Sequence, residues 1–457
     1  MTYRPEKDSL GQVEVPQDAY FGTQTQRAIQ NFPISGLRLP FDFLRSLALI
    51  KKFAAVVNFD LGLLPEKPAQ AITQAAQEIC DGNLQDQFGV DVFQTGSGTS
   101  TNMNMNEVIA GRANEILTGK RGGKTPVHPN DHVNLGQSSN DLIPSALHVA
   151  AHGEIKSHLI PALEKLLKSL KNKSEEFSPV VKIGRTHLQD ALPVTLGQEF
   201  SGYAQQVQDN IQRFSGPLSS LSCLALGGTA IGTGVNTHAD FAGRVIQMIS
   251  QEIGYNFREA ENHFAAQAAQ DAAVETSGVL KTLAVSLFKI ANDIRWLASG
   301  PRCGLGEINL PALQPGSSIM PGKVNPVIPE AVIQAAAQVM GNDTAITLGG
   351  QGGTFELNTM LPLIAYNLLQ SIRILGCAAE VFAGRCVEGI TANQELCASR
   401  VEQSLAMATF IVPVLGYDRA AMISDEAHET GKTILEVLQE KKILSEEELQ
   451  KVFGRIF

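Results

Sequence analysis

The segment GSSIMPGKVNP, residues 316–326, places two serines, a lysine and an asparagine among glycines and prolines. Gly316 predicts that the backbone before Ser317 adopts a conformation closed to other residues. A serine hydroxyl is a poor base unless cations and N–H groups stabilise its alkoxide, and Lys323 with the loop amides could provide this stabilisation. No G-x-S-x-G elbow is present, so acyl transfer is not favoured. The segment therefore makes Ser317 a candidate base.

Three other segments also crowd short hydroxyl and amide side chains beside glycines or at a helix start. Helix capping alone would account for any one of them. Four such segments, together with Lys323 and His187, predict a carboxylate pocket in which neutral donors surround one lysine. The three segments are QTGSGTSTNMNMNE at 94–107, GQSSND at 136–141 and GRTHLQD at 184–190.

His187 is the candidate group that titrates near physiological pH. A nearby Glu330 would orient its ring and raise its basicity. The alternative is that Glu330, which follows Pro329, only complements the dipole at the start of a helix.

Shorter motifs do not indicate a nucleotide or metal site. Gly96-x-Gly98 lacks the third glycine and the βαβ unit of a dinucleotide fingerprint. His148 and His152 have no acidic third ligand nearby and favour packing or surface roles. The segment VHPNDH, residues 127–132, leaves open both a metal site and an anion-contacting turn. We predict no essential metal.

The composition is that of a globular protein with room for two or three domains. The chain has 457 residues, 18% of them charged, and a net charge of −10, which argues against a nucleic-acid partner. Any anion site must therefore be made positive locally. The N-terminal sequence lacks an apolar signal region and no apolar run approaches bilayer length, so we expect no membrane partner. The six scattered cysteines indicate reduced, buried thiols and a cytoplasmic location.

Apolar residues recur every three or four positions in four segments, at 155–170, 193–216, 273–299 and 361–375. With a shorter helix after Pro329, these segments predict a five-helix bundle. The apolar stripe is broad and includes the small-residue segment 265–273, so we expect burial between subunits.

The same patterns divide the chain into domains. The sequence predicts a mainly α protein with an N-terminal mixed, mainly helical domain at 1–138. A central helical bundle follows at 139–392, and a small C-terminal helical domain at 393–457. In the last of these, Ser445-x-x-Glu448 has the spacing of a capping box.

These motifs resemble the fumarase/aspartase superfamily, and class II fumarases in particular, from about residue 10 to about residue 440. The segments that carry the resemblance are TGSGTSTNMNMNEVIA, HPNDHVN, QSSND, GRTHLQDALPVTLGQEF, ALGGTAIGTGVN, GSSIMPGKVNP and GNDTAI. The resemblance implies a three-domain, mainly helical protomer that forms a homotetramer with a twenty-helix core and active sites shared by three subunits. It also implies reversible hydration of fumarate to L-malate in the tricarboxylic acid cycle, without a metal or organic cofactor. The reaction would be an anti addition through an aci-carboxylate carbanion.

The resemblance further implies individual roles. Ser317 would take the C3 proton of malate, while Lys323 and Asn325 would stabilise the developing aci-carboxylate. His187, supported by Glu330, would help hydroxide to leave through a water. The implied substrate-binding set is Ser97, Gly98, Thr99, Ser138, Ser139, Asn140, Thr186, Ser318, Lys323, Val324 and Asn325, and the residues that match a second dicarboxylate site are His128, Pro129, Asn130 and Asp131.

Two alternatives remain. Aspartate ammonia-lyases share the fold and the GSSIMP-KVNP loop, but they usually have glutamine where this chain has His187, and a residue other than serine at Ser139. Both differences favour elimination of water. A helical bundle that only binds or supports other proteins would have lost Ser317, His187 or Lys323, and all three are present.

Overall fold

The computed structural model describes residues 2–454, and these form a mainly α-helical protein, as predicted. The helices are α1 Thr23–Asn31, α2 Phe41–Asp60, α3 Glu66–Cys80, α4 Thr99–Thr118, α5 Ser139–Glu154, α6 Ile160–Glu176, α7 Leu196–Arg213, α8 Ser215–Leu221, α9 Phe241–Ile253, α10 His263–Ala268, α11 Asp271–Leu297, α12 Val327–Gly350, α13 Leu361–Arg385, α14 Gln394–Gln403, α15 Val412–Leu415, α16 Tyr417–Thr430, α17 Ile434–Glu440 and α18 Glu446–Phe453.

Strands are short and pair two at a time within the described residues. The antiparallel hairpins are β1–β2, β3–β4 and β8–β9; β7 pairs with β10 antiparallel, and β5 with β6 parallel. The strand bounds are β1 Tyr3–Asp8, β2 Gly11–Pro16, β3 Val181–Thr186, β4 Gln189–Thr195, β5 Cys223–Leu224, β6 Arg258–Glu259, β7 Ile308–Asn309, β8 Gly353–Thr354, β9 Leu357–Asn358 and β10 Thr391–Ala392.

The chain separates into two compact units. The first unit consists of residues 1–161, 212–284 and 337–376. In it, α2 packs against α3, α5 and α9. Helix α2 buries Phe43, Leu47 and Ile50 completely. Burial of such an apolar face, more than helix propensity, stabilises a helix of this length.

The second unit consists of residues 162–211, 285–336 and 377–457. In it, the β3–β4 hairpin packs against α14 and against the 3₁₀ segment Leu405–Ile411. A C-terminal core gathers Val401, Ile411, Ile423 and Val437. The three-domain division at 1–138, 139–392 and 393–457 stays a prediction.

The four predicted helical segments all form helices, with differences in detail. Helix α12 runs for 24 residues and begins before Pro329, so the expectation of a shorter helix after that proline was wrong. The small-residue segment 265–273 is not one continuous stripe, because α10 ends at Ala268 and α11 begins at Asp271. A π-helical turn at Ile155–Leu159 leads into α6, which carries Pro161 near its start. Proline lacks an N–H and interrupts the regular helix pattern, which accounts for an irregular turn there.

The two helix-start signals near the C-terminus are both used. Ser445 and Glu448 form the predicted capping box at the start of α18. Thr433 and Glu436 form a second capping box, at the start of α17, which was not predicted from the sequence. Each box satisfies N–H groups that a helix start leaves without partners.

The structure corrects two expectations, one about the length of apolar segments and one about the burial of the cysteines. The segment Leu361–Gly389 is long and apolar enough to cross a membrane by length and composition, contrary to the expectation that no run reaches that length. Its apolar window is 56% buried within the protein, and a buried core helix passes the same test. None of the six cysteines forms a disulfide, as expected of reduced thiols, but Cys303 and Cys377 are exposed, so the thiols are not uniformly buried.

Candidate functional site

Three hydroxyl groups meet at the starts of α4 and α5. The Oγ of Ser97 lies 2.7 Å from Oγ1 of Thr99, and that atom lies 2.8 Å from Oγ of Ser139. Thr99 and Ser139 are the first residues of their helices. The N-terminal ends of helices favour anions because their N–H groups and dipoles point outward. The three hydroxyls thus lie where a carboxylate would be favoured.

Two glycines allow the loop that carries Ser97 to pack closely against the backbone of residues 359–361. Gly98 adopts φ 73°, the left-handed region that favours glycine. A Cβ at Gly96 would lie 1.9 Å from the carbonyl oxygen of Thr359. The N–H of Leu361 donates to the Gly96 carbonyl at 3.0 Å. Neither glycine could be replaced without moving the loop that carries Ser97 and Thr99.

The SSND segment both caps α5 and reaches a second loop. The Oγ of Ser138 accepts the N–H of Asn140, and Asp141 completes the capping box. The Asn140 side-chain amide donates to the Ala230 carbonyl at 2.7 Å. Capping therefore explains part of this segment, while the hydroxyl proton of Ser138, whose oxygen only accepts in the cap, remains available to an acceptor.

Asp141 lies completely buried beneath this segment. Its carboxylate accepts the N–H groups of Ser138, Gly227 and Thr229 at 3.0, 3.1 and 2.9 Å. Burial raises the pKa of Asp141 to about 6, although these N–H groups lower it. Asp141 thereby ties the start of α5 to the 227–229 loop.

Lys51 is a second buried charge of the first unit that the sequence did not reveal. Its Nζ donates to Oδ1 of Asn134 at 2.8 Å, and that oxygen also accepts from the amides of Asn102 and Asn106 on α4. Burial lowers the pKa of Lys51 well below its ordinary value, and the charge of Asp141 opposes this shift. A lysine in the middle of the apolar α2 segment carried no local signal, because its partners are distant in the chain.

The 316–326 loop is clamped at its base. The Gly316 N–H donates to the Lys323 carbonyl at 2.7 Å, and the Asn325 side-chain amide donates to the Gly316 carbonyl at 2.7 Å. Glycine was expected at position 316 because of an unusual backbone conformation. That reason was wrong, because the φ of Gly316 is not in the left-handed region. Glycine is needed there because a Cβ would lie 2.7 Å from the Lys323 carbonyl, whereas Gly322 does adopt φ 78°.

Ser317 accepts two backbone hydrogen bonds. Its Oγ receives the N–H groups of Ile319 at 3.2 Å and Met320 at 3.0 Å. Donors aimed at a hydroxyl oxygen stabilise its deprotonated form more than its neutral form. Ser317 is half-buried and Ser318 is exposed. This geometry suits a serine that gives up its proton.

Lys323, Asn325 and Glu330 line one cavity of about 640 Å³, together with Arg295 and Trp296. This volume lies within the range of small-molecule pockets. Val324 also lines the cavity. Glu330 lies in the first turn of α12, so its carboxylate also complements the helix dipole.

Thr186 and His187 lie on the β3–β4 hairpin, not at a helix start. Both are exposed. His187 and Leu188 alone form the turn, with φ 57° and 60°. Within residues 2–454 of a single chain, no ion pair or hydrogen bond joins His187 to Glu330.

The residues matching a second dicarboxylate site form a turn that is bonded internally. Nδ1 of His128 accepts the N–H groups of Asn130 and Asp131, each at 3.2 Å. Pro129 begins the π-helical turn Pro129–Val133. Asp131 Oδ2 lies 3.3 Å from Nδ1 of His128.

Metal-ligating side chains do not gather in the described part of the chain: residues 2–454 contain no group of three or more His, Cys, Asp and Glu placed to hold an ion. His148 is buried against the Cys223 carbonyl at 2.7 Å. His152 is buried between the rings of Tyr255 and Phe257. Both are packing residues, as the sequence favoured.

Comparison with known protein families gives the class of this mainly helical protein, which is that of the lyases. Residues 11–341 match the family described as Lyase, and residues 407–454 match the family described as Fumarase C C-terminus. Class II fumarate hydratase of Nitrosomonas europaea is 57% identical over 95% of this chain and 94% of its own length. That of Thermosynechococcus vestitus is 51% identical over 98% of this chain and 96% of its own length.

Solved structures agree with the sequence relatives. The class II fumarase of Schistosoma mansoni superposes with a TM-score of 0.95 at 40% identity, covering 99% of this chain and 98% of that one. The chain therefore belongs to the class II fumarate hydratase family.

Proposed function

We propose that this protein is a fumarate hydratase, a hydro-lyase that reversibly adds water to fumarate to give L-malate. The observation that carries the proposal is the 57% identity, over nearly the full length, to a relative named class II fumarate hydratase. The Ser97–Thr99–Ser139 hydroxyl chain supports it, because a dicarboxylate needs donors at fixed positions. Aspartate ammonia-lyase is not favoured, since the relatives above carry the hydratase name.

The proton-transfer step is assigned to Ser317. Its alkoxide takes the C3 proton of malate, supported by the N–H groups of Ile319 and Met320 at its Oγ. Lys323 and the second N–H of the Asn325 side-chain amide stabilise the negative charge that moves onto the substrate carboxylate as the C–H bond breaks. Ser318 and Val324 belong to the substrate contacts of the same loop.

Departure of hydroxide is assigned to His187. The imidazolium donates its proton through a water to the leaving oxygen on the opposite face of the substrate, which gives anti elimination. Glu330 orients the ring. Because the two are not joined within one chain, the pairing is proposed to form between subunits.

Carboxylate binding is assigned to residues that offer hydroxyl, amide or backbone donors. Neutral donors suit a chain of net charge −10, because few cations are then needed at the site. The proposed set in the helix-start and hairpin loops is Ser97, Gly98, Thr99, Ser138, Ser139, Asn140 and Thr186. His128, Pro129, Asn130 and Asp131 are proposed as a second dicarboxylate site.

The protein is proposed to be a homotetramer whose active sites draw on three subunits. Several large apolar side chains on the long helices are exposed in the single chain, and apolar exposure on this scale indicates contact surfaces. They are Val285, Phe288, Trp296, Leu348 and Val381. Sedimentation or light scattering of the purified protein measures the oligomeric state directly.

A cytoplasmic location, a role in the tricarboxylic acid cycle and independence from metal and organic cofactors are also proposed. The absence of a disulfide among the six cysteines, all within residues 2–454, supports a reducing compartment. Dialysis against a strong chelator should leave activity unchanged. Activity lost on dialysis and restored by a divalent ion would contradict the proposal that no metal is needed.

One assay tests the function. Purified protein is given malate and then aspartate, and fumarate absorbance is followed in each case. Fumarate from malate alone is the expected result. Fumarate formed from aspartate would identify an aspartate ammonia-lyase. If neither substrate gave fumarate, the proposed function would be wrong.

A further inference from the structure

The turn that carries His187 is strained. Thr186 pairs with Gln189 across the hairpin, so His187 and Leu188 alone connect the strands. Their φ values of 57° and 60° define a primed two-residue turn, which Asn-Gly normally occupies. Bulky side chains in this region are rare and persist only where the surroundings fix them. Some other contact must hold this hairpin in place.

Glu307 provides that contact from within the second unit. Its side chain is fully buried, and its Oε1 accepts Nη2 of Arg185 at 2.6 Å. Arg185 lies two residues before His187, and the register of β3 shifts between Ile183 and Arg185. This charged, buried hydrogen bond lies next to the register shift, and it fixes the direction of the last residues of β3, which lead into the His187 turn.

The main chain of Glu307 is itself held on both sides. Its N–H donates to the Leu297 carbonyl at the end of α11 at 2.8 Å. Its carbonyl accepts the N–H of Asn393 at 2.8 Å. The carboxylate therefore extends from a fixed backbone, and Arg185 is bonded to a rigid partner.

The neighbouring cations have other partners. Lys182 lies 3.3 Å from Glu307 Oε2, yet it also pairs with Glu199 at 3.0 Å. Arg400 lies 3.7 Å from Glu307 and donates instead to the carbonyls of Leu305 and Gly304. Among the described residues, Arg185 is the side chain that hydrogen-bonds to the Glu307 carboxylate. Burial alone would lower the pKa of Arg185, but the hydrogen bond that Arg185 donates to Glu307 raises this pKa above its ordinary value.

We propose that the buried Arg185–Glu307 pair anchors the His187–Leu188 turn, and that Glu307 is thereby a positioning residue for the imidazole. The inference rests on the proposed function, in which His187 is the acid. Neither Glu307 nor Arg185 contacts substrate in this proposal. Both act by fixing the direction from which the His187 imidazole approaches the substrate. Small displacements of a catalytic group reduce reaction rates strongly.

Two variants test the anchor. Arg185→Lys keeps the charge but loses the planar guanidinium geometry, and Glu307→Gln keeps the shape but loses the charge. Arg400→Lys is the matched control. Arg400 is also a cation beside the Glu307 carboxylate, but it donates its hydrogen bonds to backbone carbonyls instead. Each is measured for kcat, KM and pH profile, alone and combined with His187→Asn.

Arg185→Lys and Glu307→Gln should lower kcat about ten- to hundredfold and change KM less than about threefold. In the His187→Asn background the same changes should cost less than about twofold, because the residue they position is already gone. Arg400→Lys should leave kcat within about twofold. Equal losses in both backgrounds would overturn the proposal.

A spectroscopic measurement separates this inference from the proposed function. The histidine ring signals are recorded by nuclear magnetic resonance, and that of His187 is assigned by its loss in His187→Asn. The His187 signal should move in Arg185→Lys and Glu307→Gln and stay unchanged in Arg400→Lys. A wild-type protein without hydratase activity would defeat the proposed function, while an unmoved ring signal in both anchor variants would defeat the anchor.

Discussion

The side-chain oxygens of Thr99 and Ser139 lie 2.8 Å apart, although the residues are 40 positions apart in the chain. The contact joins the starts of two helices, α4 and α5, and Ser97 extends it by one more hydroxyl. Because both helix ends carry partial positive charge, their hydroxyls offer protons where a carboxylate is favoured. This relationship converts two capping segments into one candidate binding surface.

Replacing Thr99 with valine should weaken substrate binding. Thr99→Val keeps the shape but removes the hydroxyl that links Ser97 to Ser139, and a hydrogen bond to a charged group contributes about 1.5–3 kcal/mol. KM for malate should rise about ten- to hundredfold. Thr430→Val, on an exposed helix end, is the control and should leave KM unchanged. A KM for Thr99→Val within about twofold of wild type would remove Thr99 from the binding set.

Replacing Ser317 with alanine should remove the base. Ser317→Ala is expected to lower kcat about 10²–10⁴-fold, the range typical of a general base. The oligomer should remain intact, because the loop is partly exposed and its clamp between Gly316 and Lys323 uses main-chain atoms. Ser201→Ala, on the exposed face of α7, serves as the control. Wild-type activity in Ser317→Ala would refute its role.

Replacing His187 with asparagine should lower the rate about 10²–10⁴-fold if the imidazole is a general acid. The pH profile of kcat should also lose the limb that depends on the protonated ring. Steady-state kinetics across the pH range of activity measures both. A slower enzyme whose pH profile matches that of the wild type would indicate that another group titrates.

His152 should make folding sensitive to acid. Burial against Tyr255 and Phe257 lowers its pKa from 6.5 to about 4. The unfolded chain therefore binds a proton near pH 6.5 that the folded chain does not bind until about pH 4. The stability contributed by the neutral ring is present above pH 6.5 and is lost as the pH falls towards 4.

His152→Phe tests this linkage. The free energy of unfolding, measured by urea denaturation at each pH, should fall by about 1–3 kcal/mol less between neutral pH and pH 4 than in the wild type. His428→Gln, on the exposed face of α16, is the control and should keep the wild-type dependence. An unchanged slope in His152→Phe would show that the ring is not the group responsible.

The helices and the four polar loops could be predicted because their signals are local. A stripe of apolar residues every three or four positions specifies a buried helix face wherever the chain folds. Capping residues identify helix starts in the same way, as Ser445 and Glu448 show. Local spacing did not reveal the break between Ala268 and Asp271, because small residues on both sides suit a helix equally well.

The Arg185–Glu307 pair shows why the rest could not be predicted. These residues are 122 positions apart, and neither stands out beside its sequence neighbours. The same holds for Lys51 and Asn134, which are 83 positions apart. A buried charge is stable only when a partner reaches it, and spacing along a chain does not encode which distant group that is.

The sequence by itself determined the mainly helical class, the family resemblance and the serine, histidine and lysine candidates, since these depend on local pattern and residue type. Only the tertiary structure decided that Thr99 meets Ser139, that Ser317 accepts two N–H groups, and that His187 lies on a strained hairpin turn. Side-chain direction and burial follow from packing among distant segments, and packing is settled only when the whole chain folds.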